Sequence, residues 1–251
     1  TASGFIGGPV WPDWDGQTVA RFCRRGEPAD IAPTAMPTEE TVDDPGAFWI
    51  GPLHLHFGHA IQDYLPRVPE SLAARPDSTL VFGALAGNRV ATLADAPGWF
   101  RQILDWFEVP AERVRFVSRP TLFRTLNVVP QPEQLGVPPR ADYLDRLDAL
   151  VARKPAPPAP VEHLYVSRAG QASRLPGESY LETVVAACGA RVLRPEAHPI
   201  AEQLDAYRSA RHIVFAEGSA IHGLHLLGRG IGDVDVLCRR ARTRIGDWLL
   251  D

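Results

Sequence analysis

Three of the eight histidines fall in one short segment, His54-Leu-His56-Phe-Gly-His59. His59 is followed four positions later by Asp63, so on a helix the two side chains share one face. A carboxylate can orient an imidazole and raise its basicity, which suits a general base that removes a proton from a hydroxyl group. His59 and Asp63 are therefore the candidate catalytic pair.

Two other uses of this segment stay open at the level of sequence. One is a metal site, and with it a metal-dependent hydrolase built on His54, His56 and His59. Against it, the spacing lacks the His-Glu-x-x-His pattern, and no other ligand cluster is evident. The other is a histidine cluster with a purely structural role.

The second half of the chain carries a candidate anion site. A strand is predicted over His212–Ala216, and Glu217-Gly218-Ser219 leads from it into a predicted helix, whose first N–H groups lack helical partners. Gly218 lets a ligand approach the backbone and Ser219 can cap the helix, so the turn suits a diphosphate. A plain capped turn is the alternative. The carboxylate of Glu217 would repel phosphate, which favours sugar or ribose hydroxyls as its partners.

Two arginines are expected beside the same turn. Arg168 falls at the carboxyl end of a predicted strand, and Arg174 lies in the loop that follows. Guanidinium groups suit phosphate because their donors form a rigid fork. The alternative is a pair of solvated arginines. Glu178 opens the next predicted helix, where a carboxylate is favourable near the N-terminus.

Composition narrows the class of protein. The chain has 251 residues, of which 45% are hydrophobic and 22% charged, as in an ordinary globular protein with a sizeable core. A net charge of -4 argues against a nucleic-acid partner. No apolar run approaches the ~20 residues that span a bilayer, and no signal peptide is apparent. Cys23, Cys188 and Cys238 are far apart, which predicts reduced thiols in a cytoplasmic protein.

Strand and helix patterns alternate in both halves, after an irregular first 45 residues with one strand near Gln17–Cys23. The elements predicted in the first half are strands Ala47–Ile50, Ser78–Ala84 and Val114–Val117 and helices Gly58–Pro66, Pro97–Phe107 and Asp142–Ala152. Those of the second half are strands His163–Ser167, Arg191–Leu193, His212–Ala216 and Val234–Leu237 and helices Glu178–Cys188, Ile200–Ala210 and Ser219–Leu227, with Gly189 and Gly228 closing two of the helices.

The domain boundary is predicted at a proline-rich stretch. Residues 154–160 contain four prolines in seven positions, which favours an extended, stiff linker at 155–160. Domains are then expected over residues 1–154 and 161–251. The β-α-β-α-β-α-β order of the second domain is typical of a Rossmann-like unit, in which ligands bind at the carboxyl ends of the strands. Two α/β units on a stiff linker would leave a cleft between them.

Taken together, these segments resemble glycosyltransferase family 61, which includes many bacterial proteins from polysaccharide gene clusters. The run His59-Ala-Ile-Gln-Asp63-Tyr-Leu-Pro-Arg67 is similar to the family's motif of His, three residues, Asp and a Leu-Pro-Arg-like run. The second half is similar over Tyr165-Val-Ser-Arg168, Arg174, Glu178, Gly189-Ala-Arg-Val, Pro195-Glu196, Glu202-Gln203, Ala210 and Gly218-Ser219-Ala220, a match that runs to about Leu227.

The chain also departs from the family pattern. Many relatives carry His where this chain has Glu217, and Asn soon after, where it has His222 or Gly223. The Asn that often precedes Glu178 is Gly177 here. These departures put the donor contacts and the identity of the sugar in question.

The resemblance implies an α/β, GT-B-like fold, with two Rossmann-like domains facing across a cleft. Residues 1–154 would form the acceptor side, and residues 161–251 would bind a nucleotide-sugar. It implies inverting transfer of a hexosyl or pentosyl group to a saccharide hydroxyl, with His59 or Asp63 as base and without metal or cofactor. The implied donor-binding residues are Arg168, Arg174, Glu178, Glu217, Gly218, Ser219 and His222.

The implied setting is surface polysaccharide biosynthesis in a bacterium, of the capsular or exopolysaccharide type. The expected partners are a nucleotide-sugar donor and a saccharide acceptor. The expected location is the cytoplasm, peripheral to the inner membrane. An alternative function is a non-catalytic member of the family that binds a nucleotide-sugar or a glycan, which the departure at Glu217 motivates.

Overall fold

The computed structural model describes residues 8–11, 19–32, 34, 37–84, 90–157 and 159–240. The chain divides into two compact units, unit 1 over Thr1–Tyr143 and unit 2 over Leu144–Asp251. The division falls within the helix Ala141–Arg153, ahead of the predicted linker. The first turn of this helix belongs to unit 1, where Tyr143 is buried, whereas Asp145 and Asp148 pair with Arg229 in unit 2. The linker at residues 155–160 stays a prediction.

Unit 1 is organised around a parallel sheet. Its strands are β1 (Cys23–Arg24), β2 (Glu27–Pro28), β3 (Glu40–Val42), β4 (Ala47–Leu53), β5 (Thr79–Ala84), β6 (Val114–Val117), β7 (Thr121–Phe123) and β8 (Asn127–Val128). Four of them form the sheet β6-β5-β4-β8, in which every pair is parallel. Its helices are α1 (Phe57–His59), which continues as the π-helix Ala60–Tyr64, α2 (Arg67–Ala74), α3 (Gly98–Trp106) and the shared α4 (Ala141–Arg153).

The burial of β4 fits its position in the interior of the unit 1 sheet. Every residue of β4 is buried, as expected for a parallel strand with both faces covered. The π-helix packs on it at Gly51, where a Cβ would lie only 2.5 Å from the Cβ of Tyr64. Gly51 also has a φ of 156°, a backbone conformation that residues with a side chain rarely adopt. Glycine is required at this point of contact.

Several elements of unit 1 agree with the predictions, and others do not. Strand Val114–Val117 has the predicted bounds, and the rest of the predicted strands and helices lie within a few residues of theirs, Asp142–Ala152 falling inside α4. Most of the predicted helix Gly58–Pro66 is a π-helix rather than an α-helix. The amide of Leu65 donates to the carbonyl of Ala60, five residues back. Of the strand predicted near Gln17–Cys23, residues 17–18 lie outside the described residues, and 19–22 are not in a strand.

Unit 2 is a four-stranded parallel sheet with helices. The sheet order is β10-β9-β11-β12, and all pairs are parallel. Its elements are β9 (Val161–Val166), α5 (Glu178–Ala187), β10 (Arg191–Leu193), the 3₁₀ helix Pro195–Ala197, α6 (Ile200–Ser209), β11 (Ala210–Ala216), the 3₁₀ helix Ser219–Leu226 and β12 (Asp233–Leu237). The predicted alternation is confirmed, and both units are α/β with parallel sheets.

Helix ends in unit 2 confirm one set of predictions and correct another. Gly189 and Gly228 follow helix ends with φ of 89° and 67°, as predicted for closing glycines. The helix predicted over Ser219–Leu227 is instead a 3₁₀ helix over Ser219–Leu226. The predicted cap by Ser219 is wrong, because Gly218 occupies the capping position and has no side chain to donate or accept.

The three cysteines are free, with Cys23 buried and the other two exposed. This agrees with the prediction of reduced thiols. Within the described ranges, no helix is both long and apolar enough to cross a bilayer.

Candidate functional site

The three clustered histidines lie where the strand order of unit 1 reverses. β5 and β6 extend from one side of β4 and β8 lies on the other. In open α/β sheets, ligands bind outside the carboxyl ends of the strands at such a point. β4 ends at Leu53, so the segment His54–His59 follows directly from it. Topology therefore places the predicted catalytic segment where the fold favours a ligand site.

The three imidazoles form a compact group. The ring centre of His59 lies 4.8 Å from that of His54 and 5.0 Å from that of His56. Burial lowers the pKa of His54 and His56, and the proximity of His59 lowers both further. The neutral form is thereby favoured for both rings. Across the part of the chain that the structure describes, no group of three or more His, Cys, Asp and Glu side chains is arranged to hold a metal ion.

His59 and Asp63 are in direct contact. Nδ1 of His59 lies 2.9 Å from Oδ2 of Asp63, as the four-residue spacing predicts. The Asp63 side chain is 1% exposed, whereas that of His59 is 35% exposed. The carboxylate is thus buried behind an imidazole that solvent and a substrate can reach, which is the arrangement of an oriented general base.

Arg24 is a third member of this group that the sequence did not reveal. Its Nη2 lies 3.0 Å from Nδ1 of His59 and 3.5 Å from Oδ2 of Asp63. Its guanidinium stacks 4.8 Å from the ring centre of Phe22. Burial raises the pKa of Asp63, while the contacts with His59 and Arg24 act in the opposite direction. The positive charge of Arg24 therefore favours the ionised carboxylate that the imidazole needs.

A tight hairpin delivers Arg24 to the site. β1 and β2 pair antiparallel around Arg25 and Gly26, whose φ values of 52° and 82° are those of a hairpin turn. The amide of Cys23 donates to Oε1 of Gln131, a residue that follows β8. The turn Arg25-Gly26 is the only local signal of this hairpin in the sequence, and its position depends on contacts made over a hundred positions away.

Arg67 joins the segments that surround the histidines. Its side chain is fully buried and donates to the carbonyls of Ile50 in β4 and Val129 beyond β8. It also donates to the carbonyls of Val19 and Arg21, in the segment that leads to the hairpin. Burial lowers its pKa to about 10, so it remains charged at neutral pH. The Leu-Pro-Arg run thus ends in a structural arginine rather than a ligand-binding one.

The predicted donor residues of unit 2 gather at the equivalent point of its own sheet. The order reverses between β9 and β11, with β10 beside one and β12 beside the other. Arg168 follows β9, and Glu217-Gly218-Ser219 follows β11. A Cβ on Gly218 would lie 2.1 Å from Nη1 of Arg168, so the guanidinium covers this glycine directly. The structure brings Arg168 and Gly218 together.

Glu217 does not point to open solvent. It is 1% exposed, its Oε2 accepts a hydrogen bond of 3.0 Å from the amide of Arg239, and its carbonyl accepts one of 2.9 Å from Nε of Arg239. Arg239 lies just beyond β12 and was not identified from the sequence. Its only signal is its place after the last predicted strand.

The carboxylate of Glu178 is likewise hydrogen-bonded within the protein. Its carboxylate is 1% exposed, and its oxygens accept hydrogen bonds from the Tyr165 hydroxyl and from the amides of Arg168 and Leu175. These bonds hold the loop after β9 in place. Its contribution to ligand binding would be indirect, through Arg168.

The remaining predicted residues are more peripheral to this group of contacts. Arg174 is exposed in the loop between β9 and α5. His222 is buried on the 3₁₀ helix, with its ring stacked on His225 at 5.6 Å.

Both units are α/β with parallel sheets, and each has a group of polar side chains at the switch point of its sheet. A family model described as Glycosyltransferase 61 matches residues 57–232, which is more than half of the chain. The protein therefore belongs to glycosyltransferase family 61 and is a glycosyltransferase, which implies a sugar donor and a sugar acceptor. A search of proteins with curated descriptions finds none that matches this sequence.

Proposed function

We propose that the protein is an inverting, metal-independent glycosyltransferase of the GT-B type, which moves a hexosyl or pentosyl group from a nucleotide-sugar to a saccharide hydroxyl. The observation that carries this proposal is the buried Asp63 behind the accessible His59 at the switch point of unit 1. In this proposal unit 1 binds the acceptor and unit 2 binds the donor. We place the reaction in bacterial surface polysaccharide synthesis, following the family resemblance.

His59 is the proposed base. With its proton on Nδ1, it donates to Oδ2 of Asp63, which is also ion-paired with Arg24. In the other tautomer Nδ1 would accept from Nη2 of Arg24 at 3.0 Å and Nε2 would carry the proton, so the proposal requires the tautomer in which Asp63 is the acceptor. Nε2 is left as an acceptor for the proton of the incoming hydroxyl.

The transfer itself is a single displacement. The acceptor oxygen loses its proton to Nε2 of His59 and bonds to the anomeric carbon, while the bond from that carbon to the diphosphate oxygen breaks. Attack from the face opposite the leaving group inverts the anomeric configuration. The diphosphate leaves with the added negative charge.

The leaving diphosphate is proposed to rest on the turn at Gly218-Ser219. Free N–H groups at the start of the 3₁₀ helix and the guanidinium of Arg168 would stabilise its charge, the part that a metal ion plays in other transferases. Arg174, from the exposed loop after β9, would add a second cation when a ligand is bound. Glu178 and His222 would support this region from within.

A direct assay tests this proposal. The purified protein is incubated with UDP-, GDP- and CMP-linked sugars in the presence of a chelator, and nucleotide release is measured with and without saccharide acceptors. We expect at least one donor to bind and to be hydrolysed or transferred. Arg168→Ala should weaken donor binding about 10- to 100-fold, the loss of a charge-assisted contact. Failure of every donor to bind would contradict the proposal.

The engagement of Glu217 by Arg239 favours one second candidate, a non-catalytic member that binds a nucleotide-sugar. In this case the parent protein binds a donor but transfers no sugar. A His59→Ala variant would then behave like the parent in every assay.

A further inference from the structure

The carboxyl edge of the unit 2 sheet holds a second arginine that faces the same turn. The sheet order places β9 and β12 on the two sides of β11. Arg168 follows β9 and Arg239 follows β12, so the two residues flank the Gly218 turn from either side. Glu217 holds both the amide and Nε of Arg239, which fixes the guanidinium at this edge.

Neither guanidinium is hydrogen-bonded to a described carboxylate. Nε of Arg168 is buried without a hydrogen-bond partner. Within the described residues, the Nη nitrogens of Arg239 make no hydrogen bond, since the two bonds of this residue use its amide and Nε. Burial lowers the pKa of Arg239, repulsion from Arg240 and Arg168 lowers it further, and the charges of Glu217 and Glu178 act in the opposite direction. An anion bound beside Arg168 and Arg239 would relieve the repulsion between them.

We propose that Arg239 binds the diphosphate of the donor together with Arg168, and that Glu217 is the positioning residue that holds Arg239 there. The inference rests on the proposed function and names a residue outside the range 57–232 that the family model matches. The Nη groups of Arg239 would donate to phosphate oxygens in the ground state and to the leaving group as its charge grows.

This arrangement also accounts for the carboxylate beside a phosphate site. An unpaired Glu217 would repel a diphosphate. Oε2 accepts a hydrogen bond from the amide of Arg239, and the positive charges of Arg239 and Arg168 together outnumber the single negative charge of Glu217. In this proposal Glu217 positions Arg239 and does not contact the ligand itself.

The test compares binding of UDP and GDP with binding of uridine and guanosine by calorimetry. Arg239→Ala should weaken diphosphate binding about 10- to 100-fold and leave nucleoside binding unchanged. Arg239→Lys should lose less, because it retains the charge without the fork. The matched control is Arg240→Ala, an exposed neighbour, which should bind like the parent.

Two failures are distinguishable. If the parent binds neither UDP nor GDP, the proposed function is overturned and this inference with it. If the parent binds a diphosphate and Arg239→Ala binds it equally well, only this inference is overturned. A uniform loss of nucleoside and diphosphate binding in Arg239→Ala would also overturn it, because such a loss reports a general disturbance of the site.

The positioning role of Glu217 has its own readout. Glu217→Ala should weaken diphosphate binding, and the double variant Glu217→Ala/Arg239→Ala should bind no more weakly than Arg239→Ala alone, since a positioning residue acts only through the Arg239 side chain. Glu217→Gln keeps an oxygen that can accept from the Arg239 amide and should restore most of the affinity. Additive losses in the double variant would contradict the positioning role.

Discussion

At the scale of single residues, the burial of Asp63 is the feature that separates a catalytic group from a structural one. Its carboxylate is 1% exposed, and one of its oxygens, Oδ1, is buried without a hydrogen-bond partner. Burial raises its pKa despite the contacts with His59 and Arg24. A carboxyl group whose ionisation is opposed by burial is typical of functional sites, where stability is given up for reactivity.

The substitution Asp63→Asn separates the effect of Asp63 on stability from its effect on the transfer rate. Because the pKa of Asp63 is higher in the folded chain than in the unfolded one, folding favours the protonated form, and that stability is lost as pH rises through the folded pKa. Asparagine never ionises, so at pH 7 the variant should unfold at a higher denaturant concentration than the parent, and the difference should shrink in acid. Its transfer rate should fall by about 100-fold or more.

Denaturation at pH 7 and at acid pH, together with the rate of transfer, checks this prediction. A variant that is less stable than the parent at pH 7 would contradict the account of Asp63. A variant that keeps the parent's rate would remove Asp63 from the catalytic group. His59→Gln should show no comparable change in stability.

At the scale of elements, local sequence patterns predicted where strands and helices lie but not how each is wound or joined. The spacing of apolar residues predicted a helix after β4, and Ala60, Ile61 and Tyr64 form its buried face. The π winding of that segment depends on its contact with Gly51, a tertiary feature that periodicity does not contain. The hairpin that carries Arg24 escaped prediction because its strands have two residues each.

The contact at Gly51 gives a prediction for this element. Gly51→Ala would place a Cβ 2.5 Å from that of Tyr64. It would also require a backbone conformation that residues with a side chain rarely adopt. The variant should lose at least about 2 kcal/mol of unfolding free energy. Its transfer rate should also fall, because the displaced helix carries His59 and Asp63.

Gly230→Ala is the matched control, since a Cβ there meets nothing within 4 Å. Chemical denaturation of both variants beside the parent measures the difference. Equal stability of Gly51→Ala and the parent would show that the helix does not need this close approach.

At the scale of the whole molecule, two parallel sheets each present a switch point, and the two points carry different chemistry. The motif order in the sequence was enough to predict the family and the α/β class, because both depend on patterns along the chain. The pairing of Arg168 with Gly218 followed from strand order, which the alternation of elements implies. Arg24 and Arg239 could not be found in this way, because only the folded sheets bring them beside His59 and Glu217.

We propose that one switch point supplies a base and that the other holds the donor. His59→Gln tests it most directly, with donor affinity measured by calorimetry and transfer measured under saturating donor. We expect a donor affinity within about twofold of the parent and a kcat lower by about 100-fold or more. A variant that transfers sugar at the parent's rate would contradict it.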